Sequence, residues 1–159
     1  MIGTRLLVTS ALFAALITVG TLLPKIPGPT GYYHLGDGFI YTAAIVLGPG
    51  PAAAAGALGS ALADYLGNAA HWAPWTLVIK GIAGYVVGAV ALGKPSRRLV
   101  AMVLGAAITV VGYTIATAVI YDPRAALVET AGNIAQTAVG IIVALALIPA
   151  ASRAFKTSR

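Results

Sequence analysis

The chain has 159 residues, of which 59% are hydrophobic and 9% are charged. Soluble domains carry about 25% charged residues, so this composition excludes a soluble globular protein and predicts a surface that mostly faces lipid. The net charge of +6 does not indicate nucleic acid as a partner, because the basic residues lie at the ends of apolar segments, as in membrane proteins. The absence of cysteine excludes thiolate metal sites, and we expect neither a metal nor a cofactor.

Six apolar segments follow one another along the chain, and we expect each to form a helix. Four approach or exceed the roughly 20 residues that a helix needs to cross a bilayer. The second and third are short, and the Gly-Pro-Gly-Pro sequence at residues 48–51 predicts a tight turn between them. The sequence therefore predicts an all-α membrane protein, a bundle of six transmembrane helices in a single domain over residues 1–159. The segments cover residues 6–23, 35–47, 51–66, 75–92, 99–121 and 127–150.

The distribution of charge predicts the orientation of this bundle. With six spans both termini lie on one side, and the segments of that side hold most of the basic residues, whereas the other side holds only Lys25 and Arg124. Segments rich in lysine and arginine stay in the cytoplasm, so we expect both termini to be cytoplasmic. The basic residues assigned to the cytoplasmic side are Arg5, Lys94, Arg97, Arg98, Arg153, Lys156 and Arg159.

The first helix carries Ala11 and Ala15 four residues apart. This spacing places two small side chains on one face, where another helix can approach closely. The other helix is either a partner protein's or a neighbour within the bundle. The same spacing recurs at Gly56 and Ser60 and at Gly84 and Gly88.

Residues 24–37 form the longest hydrophilic break between helices. Prolines limit its flexibility and glycines allow sharp turns, so it is either a lid over a site at the outer face or a plain connector. His34 is a candidate ligand contact or a surface histidine. Asp37 is a candidate site residue or the N-cap of the second helix.

Asp64 and Lys80 are the ionisable residues placed furthest into the predicted helices. A charge in hydrocarbon costs roughly 3 kcal/mol or more, so both side chains must face the bundle interior. Their predicted depths are similar, which allows an ion pair between them. Direct contact with a polar solute is the alternative.

Two tryptophans, Trp72 and Trp75, lie at the outer boundary of the fourth helix. They belong either to an aromatic belt at the membrane surface or to a site in which one ring stacks on a flat ligand.

The last helix carries Glu129, Asn133, Gln136 and Thr137 on one face. Polar groups on a membrane helix must turn inward, and the helix is wholly apolar further in, over residues 141–148. This pattern predicts a polar pocket that opens outward and is sealed inward; hydrogen bonds between helices are the alternative. Further candidates for the pocket wall are Tyr41, Tyr85, Tyr113 and Thr117.

No catalytic motif occurs in the sequence, neither a nucleophile triad nor HExxH, and we expect no enzyme activity. Residues 88–96 approach a phosphate-binding loop, but Pro95 follows Lys94 where serine or threonine is required. Any ATP hydrolysis linked to this chain must therefore take place on another subunit.

Four short motifs resemble those of the substrate-binding S components of energy-coupling factor vitamin transporters. They are HLGD at 34–37, LGP at 47–49, GSALAD at 59–64 and APWTLVIKG at 73–81. Their order and spacing resemble the branch with riboflavin-, hydroxymethylpyrimidine- and pyridoxine-type members.

This resemblance implies a multi-pass protein of a bacterial or archaeal cell membrane that captures a small vitamin or precursor at its outer face. It also implies association with a transmembrane T component, through Ala11 and Ala15, and with two cytoplasmic ATPases. The leading hypothesis is therefore high-affinity capture of a flat, polar, vitamin-like solute for ATP-driven uptake. A stand-alone proton-coupled carrier, with Asp64 or Glu129 taking up the proton, is the alternative. The candidate substrate-binding residues are His34, Asp37, Tyr41, Asp64, Trp72, Trp75, Lys80, Glu129, Asn133 and Gln136.

Overall fold

The computed structural model describes residues 3–155, which form six α-helices and one two-stranded hairpin. The predicted helical membrane protein with six helices is confirmed. Two of the basic residues assigned to the cytoplasmic side, Lys156 and Arg159, lie outside the described residues. The elements are α1 (Thr4–Leu22), β1 (Ile26–Pro27), β2 (Tyr32–Tyr33), α2 (Gly36–Leu47), α3 (Pro49–Leu66), α4 (Ala73–Ala91), a 3-10 turn (Pro95–Arg97), α5 (Arg98–Ile120) and α6 (Pro123–Ala154).

The helices differ in their capacity to cross a bilayer. Within residues 3–155, α1, α4, α5 with the preceding 3-10 turn, and α6 are long and apolar enough to do so. Helix α2 is apolar but has only 12 residues, a length of about 18 Å against roughly 30 Å of hydrocarbon. Helix α3 has 18 residues, many of them alanine and glycine.

The short helix α2 lies at the centre of the bundle. It contacts α1, α3, α4 and α6. The surrounding helices pack against one another in the order α1, α3, α4, α5, α6. Its apolar residues Ile40 and Tyr41 are fully buried and pack with Val87 and Met102. This apolar core fills the half of the bundle near the α2–α3 turn, and the hydroxyls of Tyr41 and Thr109 are buried with it.

The α2–α3 turn is tighter than the sequence suggested. Gly48 has φ of 89°, a conformation that favours glycine, and α3 begins directly afterwards at Pro49 rather than at Pro51. Proline fits the first helical position because the N–H it lacks would have no partner there. Helix α6 is also longer than predicted, because Asp122 caps it by accepting hydrogen bonds from the backbone N–H groups of Arg124 and Ala125.

Residues 23–35, hereafter the hairpin loop, fold back over the recess that the short α2 leaves. The N–H of Leu35 donates to the carbonyl of Gly20 at 3.0 Å, and Lys25 Nζ donates to the carbonyl of Gly67 at 2.6 Å. The loop therefore closes one end of the bundle, hereafter the hairpin end. The α3–α4 and α5–α6 connections lie at the same end, and α1 begins and α6 ends at the opposite one.

Candidate functional site

A cavity of about 40 Å³ lies at the hairpin end, beneath the hairpin loop. The loop forms its roof, and helices α3, α4, α5 and α6 with the α3–α4 connection supply its walls. The closed hairpin loop leaves less room than the roughly 300–1,000 Å³ of typical small-molecule sites, so a solute of that size requires the loop to move outward. Its lining residues are Thr30, Gly31, Tyr32, His34, Asp64, Trp72, Thr76, Tyr113, Glu129, Asn133 and Gln136.

Helix α6 supplies the most polar wall of the cavity. Glu129, Asn133 and Gln136 are 6%, 5% and 6% exposed and all three line it. They lie on successive turns of one helical face, which turns inward because hydrocarbon cannot satisfy polar groups. The fourth residue of the predicted polar stripe, Thr137, is buried but donates to the carbonyl of Asn133 at 3.0 Å, and it does not line the cavity.

Hydrogen bonds join the roof to the two acidic residues of the walls. The hydroxyl of Thr30 donates to Glu129 Oε2 at 3.0 Å, and the phenol of Tyr32 donates to Asp64 Oδ1 at 3.1 Å. Trp72 Nε1 donates to the carbonyl of Thr30 at 3.2 Å. The closed position of the loop is therefore fixed by contacts to three different elements.

The roof tyrosines remain protonated and act as hydrogen-bond donors. Burial, with the nearby Asp64 carboxylate, raises the pKa of the Tyr32 phenol above its ordinary value. Burial and the charge of Glu129 likewise raise the pKa of the Tyr33 phenol. A neutral phenol stabilises an adjacent carboxylate, whereas a phenolate would repel it.

A buried ion pair lies below the cavity. Lys80 Nζ is 2.6 Å from Asp37 Oδ1, and both side chains are 0% exposed. Gln136 Nε2 donates to Asp37 Oδ2 at 2.8 Å, and Gln136 Oε1 accepts from the backbone N–H of His34 at 3.1 Å. The ion pair is thus connected through Gln136 to the end of the hairpin loop.

This ion pair corrects two of the alternatives drawn from the sequence. Lys80 pairs with Asp37 and not with Asp64, because α2 begins deep in the bundle and brings Asp37 to the level of Lys80. Asp37 is also not the N-cap of α2. That position is Leu35, which provides no side-chain cap, and Asp37 lies in the first turn of the helix.

His34 is neutral in this position. Its Nδ1 accepts a hydrogen bond from the backbone N–H of Gly36 at 3.1 Å. Burial, and then the positive charge of Lys80, lower the pKa of His34 to about 4. At neutral pH the imidazole therefore adds no positive charge to the cavity.

Two buried polar atoms of the cavity wall have no hydrogen-bond partner among residues 3–155: Asp64 Oδ2 and Asn133 Nδ2. Their residues are 7% and 5% exposed. Leaving such a group unpaired costs about 1–3 kcal/mol, so buried polar groups without partners are rare in folded proteins. Both atoms are available to a molecule in the cavity.

An aromatic wall faces the polar one. Trp72 is 6% exposed, and its ring centroid lies 5.7 Å from that of Tyr113 with the planes at 60°. The Tyr113 phenol lies 2.8 Å from the hydroxyl of Thr76. These side chains offer a flat apolar surface next to polar edges.

Several residues that the sequence suggested lie away from the cavity. Trp75 lies in an apolar groove between α4 and α5 and does not line the cavity. Tyr41 is fully buried in the apolar core of the opposite half, and Tyr85 is 53% exposed on the outer surface. Thr117 is buried but is not a lining residue.

Four lining residues, Thr30, Gly31, Tyr32 and Thr76, were not among the candidates drawn from the sequence. Thr76 precedes Lys80 by four residues and so shares its inward face, a signal that would have identified it. Thr30 lies in the hairpin loop, where no periodicity distinguishes one face from another.

The three small-residue pairs have different environments. Gly56 and Gly88 lie against the backbone of α4 and of the α2–α3 turn, at Lys80 and Pro49 respectively. Those pairs therefore serve packing within the bundle. Ala11 and Ala15 are exposed on the outer surface of α1, where the described part of the chain leaves their face uncovered.

Within residues 3–155 no three His, Cys, Asp or Glu side chains are grouped so that they could hold a metal ion. Six packed helices with an apolar outer surface and a polar cavity at one end define a multi-pass membrane protein with a candidate binding site.

The chain belongs to the family of ECF-type riboflavin transporter S components, whose sequence model matches residues 1–153. This is a family of substrate-binding transporter subunits and not of enzymes. The resemblance seen in the four motifs is thereby confirmed at the level of the S component family. The chain is also similar to a Pyrococcus woesei protein described as an uncharacterized protein in gap 3'region, with 42% identity over 99 residues. That match covers 60% of this chain and 66% of the relative, so the chain spans just under two thirds of the relative's length.

Proposed function

We propose that this chain captures a small vitamin or vitamin precursor in the cavity beneath the hairpin loop. The solute would then be imported in an ATP-driven complex with a transmembrane T component and two cytoplasmic ATPases. Membership of the S component family supports the general role. The choice of the cavity as the binding site rests on the structure of the hairpin end.

One observation carries the assignment of the site: the cavity contains buried polar atoms that the protein leaves unpaired. Asp64 Oδ2 and Asn133 Nδ2 have no partner among the described residues, and Trp72 and Tyr113 present aromatic surface beside them. A flat solute with polar edges would satisfy both atoms and cover the rings.

The charge distribution supports an orientation in which the hairpin end faces the outside of the cell. Basic residues of the opposite end lie at the start of α1, between α4 and α5 and at the end of α6, whereas the hairpin end has Lys25 and Arg124. By the positive-inside rule both termini would be cytoplasmic.

The outer surface of α1 is the proposed contact with the T component. Ala11 and Ala15 are exposed there, and small side chains allow the backbone of a partner helix to approach closely in lipid. The T component would transmit the work of the two ATPases to this subunit.

A proton-coupled carrier that works alone is the alternative function, because two buried acidic residues, Asp64 and Glu129, line the cavity. A carrier also needs a route from its site to the other side of the membrane. The apolar core around Ile40, Tyr41 and Met102 closes that half of the bundle, which favours capture by a subunit that depends on partners.

Equilibrium binding to the purified chain in lipid nanodiscs tests the proposed site. Riboflavin, hydroxymethylpyrimidine and pyridoxine serve as probes, and native mass spectrometry identifies any solute retained during purification. Asn133→Ala should weaken binding about tenfold or more, because it removes a buried hydrogen bond.

A matched pair of tryptophan variants provides the control for the aromatic wall. Trp72→Phe should weaken binding, whereas Trp75→Phe, in the groove between α4 and α5, should leave it unchanged. Equal affinity in wild type, Asn133→Ala and Trp72→Phe would exclude the cavity as the binding site.

A further inference from the structure

We propose that the cavity selects its solute by charge: it admits neutral or cationic molecules that present N–H or O–H groups and rejects phosphate esters and carboxylic acids. This inference rests on the proposed function and specifies the class of substrate that the same site accepts.

The first argument is the charge of the cavity wall. Asp64 and Glu129 line the cavity, and no lysine or arginine of residues 3–155 does so. The nearest buried cation, Lys80, lies below the cavity and is paired with Asp37 at 2.6 Å. The imidazole of His34 is neutral at physiological pH for the reasons given above. The wall is therefore electronegative.

The second argument is the hydrogen-bonding capacity that remains once the roof is closed. Thr30 and Tyr32 each donate to one oxygen of Glu129 and Asp64 respectively, and Asp64 Oδ2 remains a buried acceptor without a donor. Asn133 Nδ2 is a buried donor without an acceptor. A solute that meets both needs carries an N–H or O–H group and, elsewhere on its edge, a carbonyl or ring nitrogen.

An anionic solute is unsuited both to the negative charge of the wall and to its unpaired acceptor. A phosphate group brings a charge of about −1.5 to −2 and only acceptor oxygens. Placed in the cavity, it would face two carboxylates, and like charges at a desolvated contact oppose binding strongly. The nearest cations lie behind the lining: Lys80 is paired with Asp37, and Lys25 lies over the ring of Tyr32. The unpaired amide of Asn133 alone does not offset this repulsion.

Matched pairs of solutes that differ by one phosphate group test the inference. Riboflavin is compared with riboflavin 5'-phosphate, and pyridoxine with pyridoxine 5'-phosphate, by calorimetric titration of the full chain in nanodiscs. The expected result is that the phosphate ester binds at least about tenfold more weakly than its parent.

Charge-neutralising variants locate the source of this selectivity. Asp64→Asn and Glu129→Gln should each reduce the ratio of affinities between parent and ester. Asp122→Asn is the matched control, because it removes a carboxylate at the same end of the bundle but outside the cavity, and asparagine retains the helix cap. Both solutes are titrated into one preparation, so a loss of folded protein lowers the number of binding sites and leaves the ratio of affinities intact.

The outcomes separate this inference from the proposed function. An ester that binds as tightly as its parent, or a ratio that neither cavity variant changes, overturns the charge selection and leaves solute capture standing. If neither member of either pair binds, the proposed capture of this class of vitamins is contradicted, and the selection rule is overturned with it.

Discussion

The side chains of Lys80 and Asp37 form an ion pair with a separation of 2.6 Å, and neither is exposed. The pair connects α4 to α2, and Gln136 extends the connection to α6. Because α2 is too short to span the membrane by itself, these contacts fix its polar first turn in the middle of the bundle. The backbone N–H of His34 donates to the same glutamine, so the floor and the roof of the cavity share one hydrogen-bond network.

Removing one partner of this ion pair should destabilise the protein strongly. Lys80→Met leaves the Asp37 carboxylate buried and unpaired, and Asp37→Leu leaves the ammonium group in the same position. Each is expected to cost about 3–5 kcal/mol. The measurement is the thermal midpoint of the purified protein in detergent.

The double variant Asp37→Leu with Lys80→Met distinguishes an uncompensated charge from lost packing. It should recover much of the stability, because replacing both ions by apolar groups is often neutral. Lys94→Met, at an exposed position of the opposite end, is the control and should change little. A double variant less stable than either single one would contradict this explanation.

The number and length of the apolar segments were sufficient to predict six helices, and the spacing of polar residues predicted the inward face of α6. Glu129, Asn133 and Gln136 are spaced by helical turns, and a polar stripe on a membrane helix has only one favourable direction. The hydrophilic length of residues 24–37 likewise suggested a loop that covers a site.

Contacts between helices could not be deduced in the same way. Lys80 was assigned to Asp64 because both residues had similar expected depths, but the depth of Asp37 depends on where α2 begins. Trp72 and Trp75 are similar in sequence context, and only the start of α4 determines which one faces the cavity. These relationships depend on helix boundaries and rotations to within a residue, which patterns in sequence do not define.

The lowered pKa of His34 predicts a specific pH dependence. Its pKa is about 4 in the folded protein against 6.5 for the ordinary value, so between these values the unfolded chain binds a proton and the folded one does not. The contribution of neutral His34 is therefore fully present above about pH 6.5 and is lost as the pH falls towards 4. Thermal midpoints measured from pH 7.5 to 4 should show this decline.

Histidine-to-asparagine variants identify the group responsible for the decline in thermal midpoint at low pH. His34→Asn replaces the acceptor Nδ1 with a carbonyl oxygen and should flatten the decline between pH 6.5 and 4. The chain has 2 histidines, and His71, which is exposed, provides the matched control. His71→Asn should leave the decline in place, and an equal effect of both variants would exclude His34 as its source.

The position of Tyr33 indicates that the closed hairpin loop depends on a glycine of α6. Its phenol occupies the space where a side chain at Gly132 would begin. Gly132→Ala should therefore displace the tyrosine, loosen the hairpin loop and weaken solute binding. Hydrogen exchange of residues 23–35 should increase, since that loop is held by contacts to the walls.

Gly50→Ala is the control for this glycine. Gly50 lies in the first turn of α3 with open space around it, so alanine there should have no effect on the loop. Because Pro51 follows and disfavours a helical conformation for a residue with a Cβ, no gain in stability is expected. If Gly132→Ala leaves both exchange and affinity at wild-type values, Tyr33 does not hold the roof closed.

Variants on the exposed face of α1 should separate solute capture from assembly with the partner subunits. Ala11→Leu and Ala15→Leu enlarge side chains that are exposed on the outer surface of α1 and do not line the cavity. Solute affinity and thermal midpoint should therefore remain unchanged. Both variants should reduce co-purification with the T component and its ATPases, because a leucine prevents close approach of a partner helix. Ala138→Leu, at an exposed position of α6, should leave assembly intact. If the α1 variants assemble as well as wild type, the T component contacts another surface, and α1 faces lipid in the complex.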